Sequence, residues 1–224
     1  VENTNDAPEI ISTIASQIAT EDIEVILDVS TSYTDVDSGD VLEYTASELP
    51  TGMTISSSGV ISGVSGNSQV GIHNVIVTAT DNSGAEITNN FELSVENTND
   101  APEVLSTISD QELIENIAFN LDVSGNFTDI DIGDFLKFTS SDVDISSLGV
   151  ITKIPDNSEV GAHAVTVTAT DKNSASVTDT FIMTVENTND APVVLNNIAD
   201  QVATQDVGFS LDVSGNFTDI DAGE

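Results

Sequence analysis

The sequence predicts an all-β protein built of tandem Greek-key β-sandwiches, with about seven strands in each. Three observations carry that reading. Stretches of strict two-residue alternation recur, as in Ile23, Val25, Leu27 and Val29, and such spacing turns one face of a strand to a core and the other to water. Thr, Val and Ser are abundant, helix formers are few, and clusters of Gly, Asn, Asp and Ser punctuate the chain, as turns between short strands require. The octapeptide Val-Glu-Asn-Thr-Asn-Asp-Ala-Pro starts at residues 1, 95 and 185, giving periods of 94 and 90 residues. That is too long for a solenoid repeat and the right size for an independent sandwich.

The chain therefore divides into a first repeat, 1–94, a second, 95–184, and the N-terminal part of a third, 185–224. The third either continues in a longer array or is completed by another chain through strand addition along 207–213. The second repeat is four residues shorter than the first, the gap falling where the first carries Glu-Leu-Pro-Thr-Gly-Met around Leu49 to Met53.

The closing Ala-Pro of the octapeptide forces an extended path, so 9–14 reads as an edge segment. The alternating strand comes next, repeated as Ile117, Phe119, Leu121, Val123 and as Val207, Phe209, Leu211, Val213. An aromatic two residues before an Asp (Tyr33, Phe127, Phe217) plugs the end of each sandwich. Strands at 41–46, 53–55 and 60–62 precede two long ones, 73–80 and 86–95, joined by an Asp81-Asn-Ser-Gly turn. His73 and His163 stand at equivalent strand starts and read as residues at the edge of the core.

Composition narrows the function. Thirty-nine Asp and Glu face three lysines and no other basic side chain but two His, a formal charge of −36. A nucleic acid or an anionic membrane surface is excluded as a partner, because almost nothing could neutralise phosphate. With no Cys, disulfides and thiolate metal sites are excluded too. No apolar run is long enough to span a bilayer. Self-repulsion at this charge density favours high salt or bound cations.

The acidic residues are patterned. The octapeptide concentrates Asn and Asp oxygens with no basic neighbour. Asp35-Val-Asp37-Ser-Gly-Asp40 recurs as Asp129-Ile-Asp131-Ile-Gly-Asp134 and as Asp219-Ile-Asp221-Ala-Gly-Glu224. An Asp follows each Ala-Thr pair (Asp81, Asp171), and Glu21 and Glu115 open equivalent segments. Oxygen-only sets of this kind suit a hard cation, Ca²⁺ above all. The alternative, Asx-rich turns that merely bend the chain, is weakened by three copies in register. The pattern is not a helix–loop–helix calcium loop, since strands flank it and no Glu stands at the twelfth place.

In this order, Val-x-Asn-x-Asn-Asp-Ala-Pro, Asp-x-Asp after a Leu-x-Val strand, and Ala-Thr-Asp resemble the cadherin-like and dystroglycan-type cadherin-like repeats of large bacterial surface adhesins. The resemblance covers both full repeats and the fragment. It implies calcium at each inter-repeat junction. The ligands it implies at the first are Glu21, Asn97, Asn99, Asp100, Asp129, Asp131 and Asp171. At the second they are Glu115, Asp156, Glu159, Asn187, Asn189, Asp190, Asp219 and Asp221. Asn3, Asn5, Asp6, Asp35, Asp37 and Asp81 would form half a site at the N-terminal edge. The chain departs from the pattern at Asn97 and Asn187, where animal repeats carry Asp. Gly66 and Gln69 stand where the second repeat has Asp156 and Glu159, and Gln205 replaces the opening Glu in the third.

The function so implied is a calcium-stiffened extracellular stalk or fibre of a bacterial surface adhesin, supporting cell adhesion and biofilm. Its partners would be neighbouring repeats, and in addition identical chains or glycans. An enzyme is not expected: the paired carboxylates recur at every period, whereas an active site occurs once, and no nucleophile–base set is visible. An extracellular filament and a calcium-dependent carbohydrate-binding module are the competing readings, the latter disfavoured because several of the ten aromatic residues fall at core-phase positions.

Overall fold

The computed structural model describes residues 4–221. The first repeat forms β1 (Glu9–Ile10), β2 (Gln17–Thr20), β3 (Val25–Asp28), β4 (Tyr33–Thr34), β5 (Glu43–Ser47), β6 (Met53–Ile55), β7 (Val60–Gly63), β8 (Gly71–Thr80) and β9 (Glu86–Glu96). One sheet has the order β2-β9-β8-β5, another β3-β7-β6, and β1 pairs with β4. Val75, Val77 and Ala79 of β8 and Phe91, Leu93 and Val95 of β9 alternate into the core, where they meet Val29 and Ile61. Tyr33 and Tyr44 close the sandwich edge to face, with ring centroids 5.5 Å apart. Burial pushes the Tyr33 phenol up to about 12.

The second repeat follows the same plan with β10 (Glu103–Val104), β11 (Gln111–Ile114), β12 (Phe119–Asp122), β13 (Phe127–Thr128), β14 (Lys137–Ser140), β15 (Val150–Lys153), β16 (Gly161–Thr170) and β17 (Ser176–Glu186). Its main sheet is β11-β17-β16-β14, and the tyrosine pair becomes Phe127 against Phe138 at 5.6 Å. The other sheet has shrunk to β12-β15, with a single bridge, Ile145 to Ile151, where the first repeat has β6. Beyond it, β18 (Val193–Val194) pairs with β19 (Phe217–Thr218). Two compact units result: residues 1–100 with 130–134, and 101–129 with 135–224. No helix of the described residues is long and apolar enough to cross a membrane.

The all-β sandwich expected from the alternation is what forms. Three details differ. Gln17–Thr20 is a strand, paired parallel to the last residues of β9; its outward Ile18 is 70% exposed, so its sequence carries no clean amphipathic signal. Ile23 and Ile117, expected to face the core, are each 58% exposed. The preceding Asp22 and Asn116 adopt left-handed φ of 59° and 61°, so a turn precedes each strand and the alternation begins only at Val25 and Phe119. The expected strand at 207–213 does not form either. Asp206 makes the same left-handed turn, at φ 59°, but Val207, Phe209 and Leu211 stay exposed. In the first repeat the matching strand is held by β7; among the described residues no strand pairs with 207–213.

The two histidines stand at the start of the long strands, as expected. Each ring Nε2 lies 2.7 Å from a carbonyl oxygen, that of Gln69 for His73 and that of Glu159 for His163, which pins the preceding turn to the strand.

The hairpin between the long strands differs instructively between repeats. Gly84 takes a φ of 87°, whereas its counterpart Ser174 takes 78°, a conformation that costs a residue with a Cβ about 1 kcal/mol. Replacing Ser174 with glycine therefore raises the melting temperature of the second unit by a few degrees, about 4 °C, and Gly84→Ser lowers that of the first by as much. Calorimetry of the two variants checks both signs.

Candidate metal centres

Glu21 sits where β2 ends and the left-handed turn begins. Its backbone N–H donates to the Glu96 carbonyl at 3.0 Å, which draws its side chain in under the octapeptide. There Oε1 accepts the Thr98 N–H at 2.7 Å. The side chain is fully buried, at 0% exposure, and its Oε2 has no hydrogen-bond partner. Asp100 and Asp131 complete the group: one oxygen from each of the three carboxylates lies within 4.8 Å of the others. The Asp100 N–H donates to Asp131 Oδ2 at 3.0 Å, and Asn67 Nδ2 donates to Asp131 Oδ1 at 2.9 Å. All of these residues belong to the first compact unit.

The second unit builds the same group from Glu115, Asp190 and Asp221. Glu115 is 1% exposed, Oε1 accepts the Thr188 N–H at 2.7 Å, and Oε2 is again unpartnered. The Asp190 N–H donates to Asp221 Oδ2 at 2.8 Å. Asn157, the counterpart of Asn67, donates to Asp221 Oδ1 and Asn187 Oδ1, both at 3.3 Å.

A third cluster gathers Asp35, Asp40 and Asp81 in the first unit. Asp81 folds its own turn, Oδ1 accepting the N–H groups of Ser83 and Ala85 at 2.8 Å, while Oδ2 accepts Asn5 Nδ2 at 2.9 Å. Asp35 Oδ1 accepts the Asp37 N–H at 2.8 Å, and buried Oδ2 atoms of Asp35 and Asp40 are without partners. The surroundings shift these carboxyls in opposite directions. Burial and the neighbouring Asp35, Asp81 and Asp37 raise Asp40 above the ordinary aspartate range, whereas the Asn5 hydrogen bond lowers Asp81.

The Asp-x-Asp motif thus splits its two carboxylates. Asp35 joins the cluster with Asp81. Asp37, like Asp131 and Asp221, turns the other way and accepts the N–H of the octapeptide Asp, here Asp6 at 2.7 Å. The bond from the Asp37 N–H to Asp35 Oδ1 holds the turn in which the two side chains diverge.

The remaining sequence-derived candidates divide. Asp129 and Asp171 are the second-repeat counterparts of Asp35 and Asp81, and Asp171 holds the same turn through Asn173 and Ala175, both at 2.8 Å. Asp219 accepts the Asp221 N–H at 3.1 Å. Asn5, Asn99 and Asn189 each donate to the next residue's carbonyl, at 3.0, 2.8 and 2.8 Å. Asn97 is exposed, and Asn3 lies outside the described residues. Asp156 and Glu159 have local partners. They form a capping box on a short 3₁₀ turn, Asp156 accepting the Ser158 N–H and Glu159 Oε2 accepting the Asp156 N–H. Glu159 Oε1 pairs with Lys153 Nζ at 2.6 Å. Both are engaged locally and neither joins Glu115, Asp190 and Asp221. The residues that sequence reasoning missed are Asp40, Asn67 and Asn157. Asp40 was visible as the last acid of the repeated motif; the two Asn gave no signal beyond equivalent positions.

Chemically these groups fit a hard cation. The first unit contains no lysine or arginine, so no such side chain of that unit offsets a fully buried glutamate beside two aspartates. A buried, uncompensated carboxylate costs several kcal/mol, of order 3. The three oxygens lie within 4.8 Å of one another, inside the span that one ion with bonds of about 2.4 Å can bridge.

Residues 7–96 match a family model described as Putative Ig domain. No curated protein sequence matches the chain. Among solved structures, the human mucin-like protocadherin EC1-2 is similar over 81% of this chain and 98% of its own, at 15% identity and a TM-score of 0.57. Protocadherin gamma B2 domains 3–6 match over 84% and 49%, at 17% identity and 0.58. Mouse cadherin-23 EC22-24 matches over 81% and 65%, at 22% and 0.55. The chain spans less than two thirds of the latter two. At these identities the likeness establishes the fold: the repeats are cadherin/Ig-like sandwiches.

In the absence of divalent cations, a carboxylate whose folded pKa is raised opposes folding above that pKa and ceases to do so once protonated. Asp40→Asn is therefore expected to raise thermal stability at pH 7 and to leave it unchanged near pH 3. Asp81, with a lowered pKa, behaves oppositely: its contribution is present above about 3.8 and fades as pH falls below. Melting curves across pH in chelator, with carboxyl NMR titration of Asp40, check the sign.

Proposed function

We propose that the chain is a run of calcium-binding cadherin-like repeats, part of a calcium-stiffened extracellular stalk or fibre of a large bacterial surface adhesin that supports cell adhesion and biofilm. The observation that carries the calcium reading is the pair of buried glutamates, Glu21 and Glu115, each with an unpartnered oxygen beside two aspartates and, in the first unit, no lysine or arginine at all. The surface-adhesin context rests on the octapeptide, Asp-x-Asp and Ala-Thr-Asp motifs in register. The role is mechanical and not catalytic.

The mechanism derives from connectivity. Asp131 lies in the segment Ile130–Asp134, which is grouped with the first unit although the strands on either side of it, β13 and β14, belong to the second. A cation held by Glu21, Asp100 and Asp131 ties that loop down; without one, three like charges push it away. The chain is then stiff at extracellular calcium and flexible in chelator. Each occupied site adds about 2.7 kcal/mol when free calcium is 100 times the dissociation constant.

Calcium is expected to raise the melting temperature and to lengthen the maximum dimension seen by small-angle scattering. Glu21→Gln, which keeps the acceptor for Thr98 but removes the charge, should lose affinity at least tenfold and melt higher than the parent in chelator. Identical scattering curves with calcium and with chelator would contradict the proposal.

A further inference from the structure

Asn67 and Asn157 belong to neither of the ligand sets implied by the sequence, yet each reaches an acidic group from the same place in its repeat. Each opens a short 3₁₀ turn, Asn67–Gln69 and Asn157–Glu159. The chain entering the turn is tied beside the buried glutamate. The Asp22 N–H, next after Glu21, donates to the Ser65 carbonyl at 2.9 Å, and the Asn116 N–H, next after Glu115, donates to the Pro155 carbonyl at 2.8 Å. Two residues further on, the Asn amide meets the second carboxylate of an Asp-x-Asp pair. Asn67 Nδ2 donates to Asp131 Oδ1 at 2.9 Å, and Asn157 Nδ2 donates to Asp221 Oδ1 and Asn187 Oδ1, both at 3.3 Å.

The far end of the turn is fastened to its own repeat as well. His73 and His163 each hold the carbonyl of its last residue at 2.7 Å. Beyond that the two repeats use different means. In the first, Gln69 Oε1 accepts the Thr51 N–H at 2.9 Å. The second is four residues shorter in that region, and there the capping box of Asp156 and Glu159 and the pair of Glu159 with Lys153 at 2.6 Å do the same work. Different residues thus fix the turn, while the Asn and the carboxylate it meets are the same in both.

Both oxygens of Asp131 therefore accept donors with no ion involved, the Asp100 N–H at Oδ2 and Asn67 at Oδ1. Asp221 accepts the matching pair from Asp190 and Asn157. Hydrogen bonds to an ionised acceptor are the strong kind, and two of them on different oxygens set the direction of the carboxylate. A neutral amide leaves the repulsion from Glu21 and Asp100 in force; its hydrogen bond works against that repulsion.

We propose that Asn67 and Asn157 are positioning residues, a cation-independent latch that keeps the Asp-x-Asp carboxylate turned to the buried glutamate when no ion is bound. The latch itself is a matter of hydrogen bonds, and its consequence rests on the calcium reading above. A latched group is partly assembled beforehand, so less of the binding free energy goes into ordering it and the ion is held more tightly. Asp156 and Glu159 then act on the second group at one remove, by holding the turn that presents Asn157.

Hydrogen exchange of the full chain in chelator tests the latch, read at the Asp100 amide, which is protected while Asp131 stays in place. Asn67→Ala is expected to speed exchange at Asp100 about tenfold, the effect of one hydrogen bond to a charged acceptor. Asp190 and the strand amides of Val75 and Val77 should keep their rates, which shows that the repeat remains folded. Asn157→Ala should do the reverse, speeding Asp190 and sparing Asp100. Lys153→Met, which loosens the turn without touching an acid of the group, should speed Asp190 severalfold. In a calcium titration, Asn67→Ala should bind the ion severalfold more weakly than the parent. Unchanged exchange at Asp100 and Asp190 in the two Asn variants would overturn the latch even if calcium affinity fell, because an effect confined to the loaded state is that of a ligand. Failure of the parent to bind calcium, with Asp100 exchange still dependent on Asn67, would uphold the latch and overturn the calcium reading alone.

Discussion

Glu21 is a carboxylate buried completely, against two aspartates, in a unit without a lysine or an arginine. Most of the unusual features of this chain trace back to that arrangement. A sandwich core of Val, Ile, Leu and Phe can absorb many substitutions, but a triad of like charges within 4.8 Å is stable only when something positive shares the space. The backbone helps by turning N–H groups inward: Thr98 toward Glu21, Asp100 toward Asp131. Those bonds satisfy some of the oxygens. They leave Glu21 Oε2, and its copy in Glu115, aimed at nothing.

The fold explains why acids from distant parts of the sequence meet. β2 runs parallel to the end of β9, so the residue after β2 and the residues after β9 arrive at the same end of the sheet together. The octapeptide spans the end of β9 and the residues just beyond it. The Asp-x-Asp turn then contributes one carboxylate to each of two clusters, an economy that two-residue spacing in a tight turn allows. The first-repeat copy shows the other half of the scheme, with Asp35, Asp40 and Asp81 drawn together and Asn5 reaching in from the octapeptide.

Much of this was legible in the residues. The alternating strands, the period and the octapeptide pointed to the sandwich class, and Glu21, Asp100 and Asp131 were identifiable because their motifs recur in register. The hidden part was local. Ile23 looked like the first core residue of its strand, but the left-handed turn at Asp22 precedes it, and nothing about an Asp at that place announces positive φ. Asp156 and Glu159 had the right chemistry for ligands, yet a Ser two residues after the Asp and a Lys across the strand offered closer partners. Asn67 and Asn157 reach the acidic groups from a turn whose direction only the fold sets.

The pair Gln69 and Glu159 is the sharpest case. Read along the chain, the change from amide to acid adds Glu159 to the ligands that the resemblance implies at the second junction. In three dimensions it tracks the four-residue gap, since Gln69 accepts the Thr51 N–H and Glu159 pairs instead with Lys153. The two repeats thus share their acidic groups and differ beside them. Whether those shared groups hold calcium can be read from anomalous diffraction by crystals grown in calcium. A peak about 2.3–2.6 Å from oxygens of Glu21, Asp100 and Asp131, with Glu21 Oε2 among them, is the predicted result. Density for water alone at that place, with the three carboxylates splayed apart or sharing protons, would contradict it.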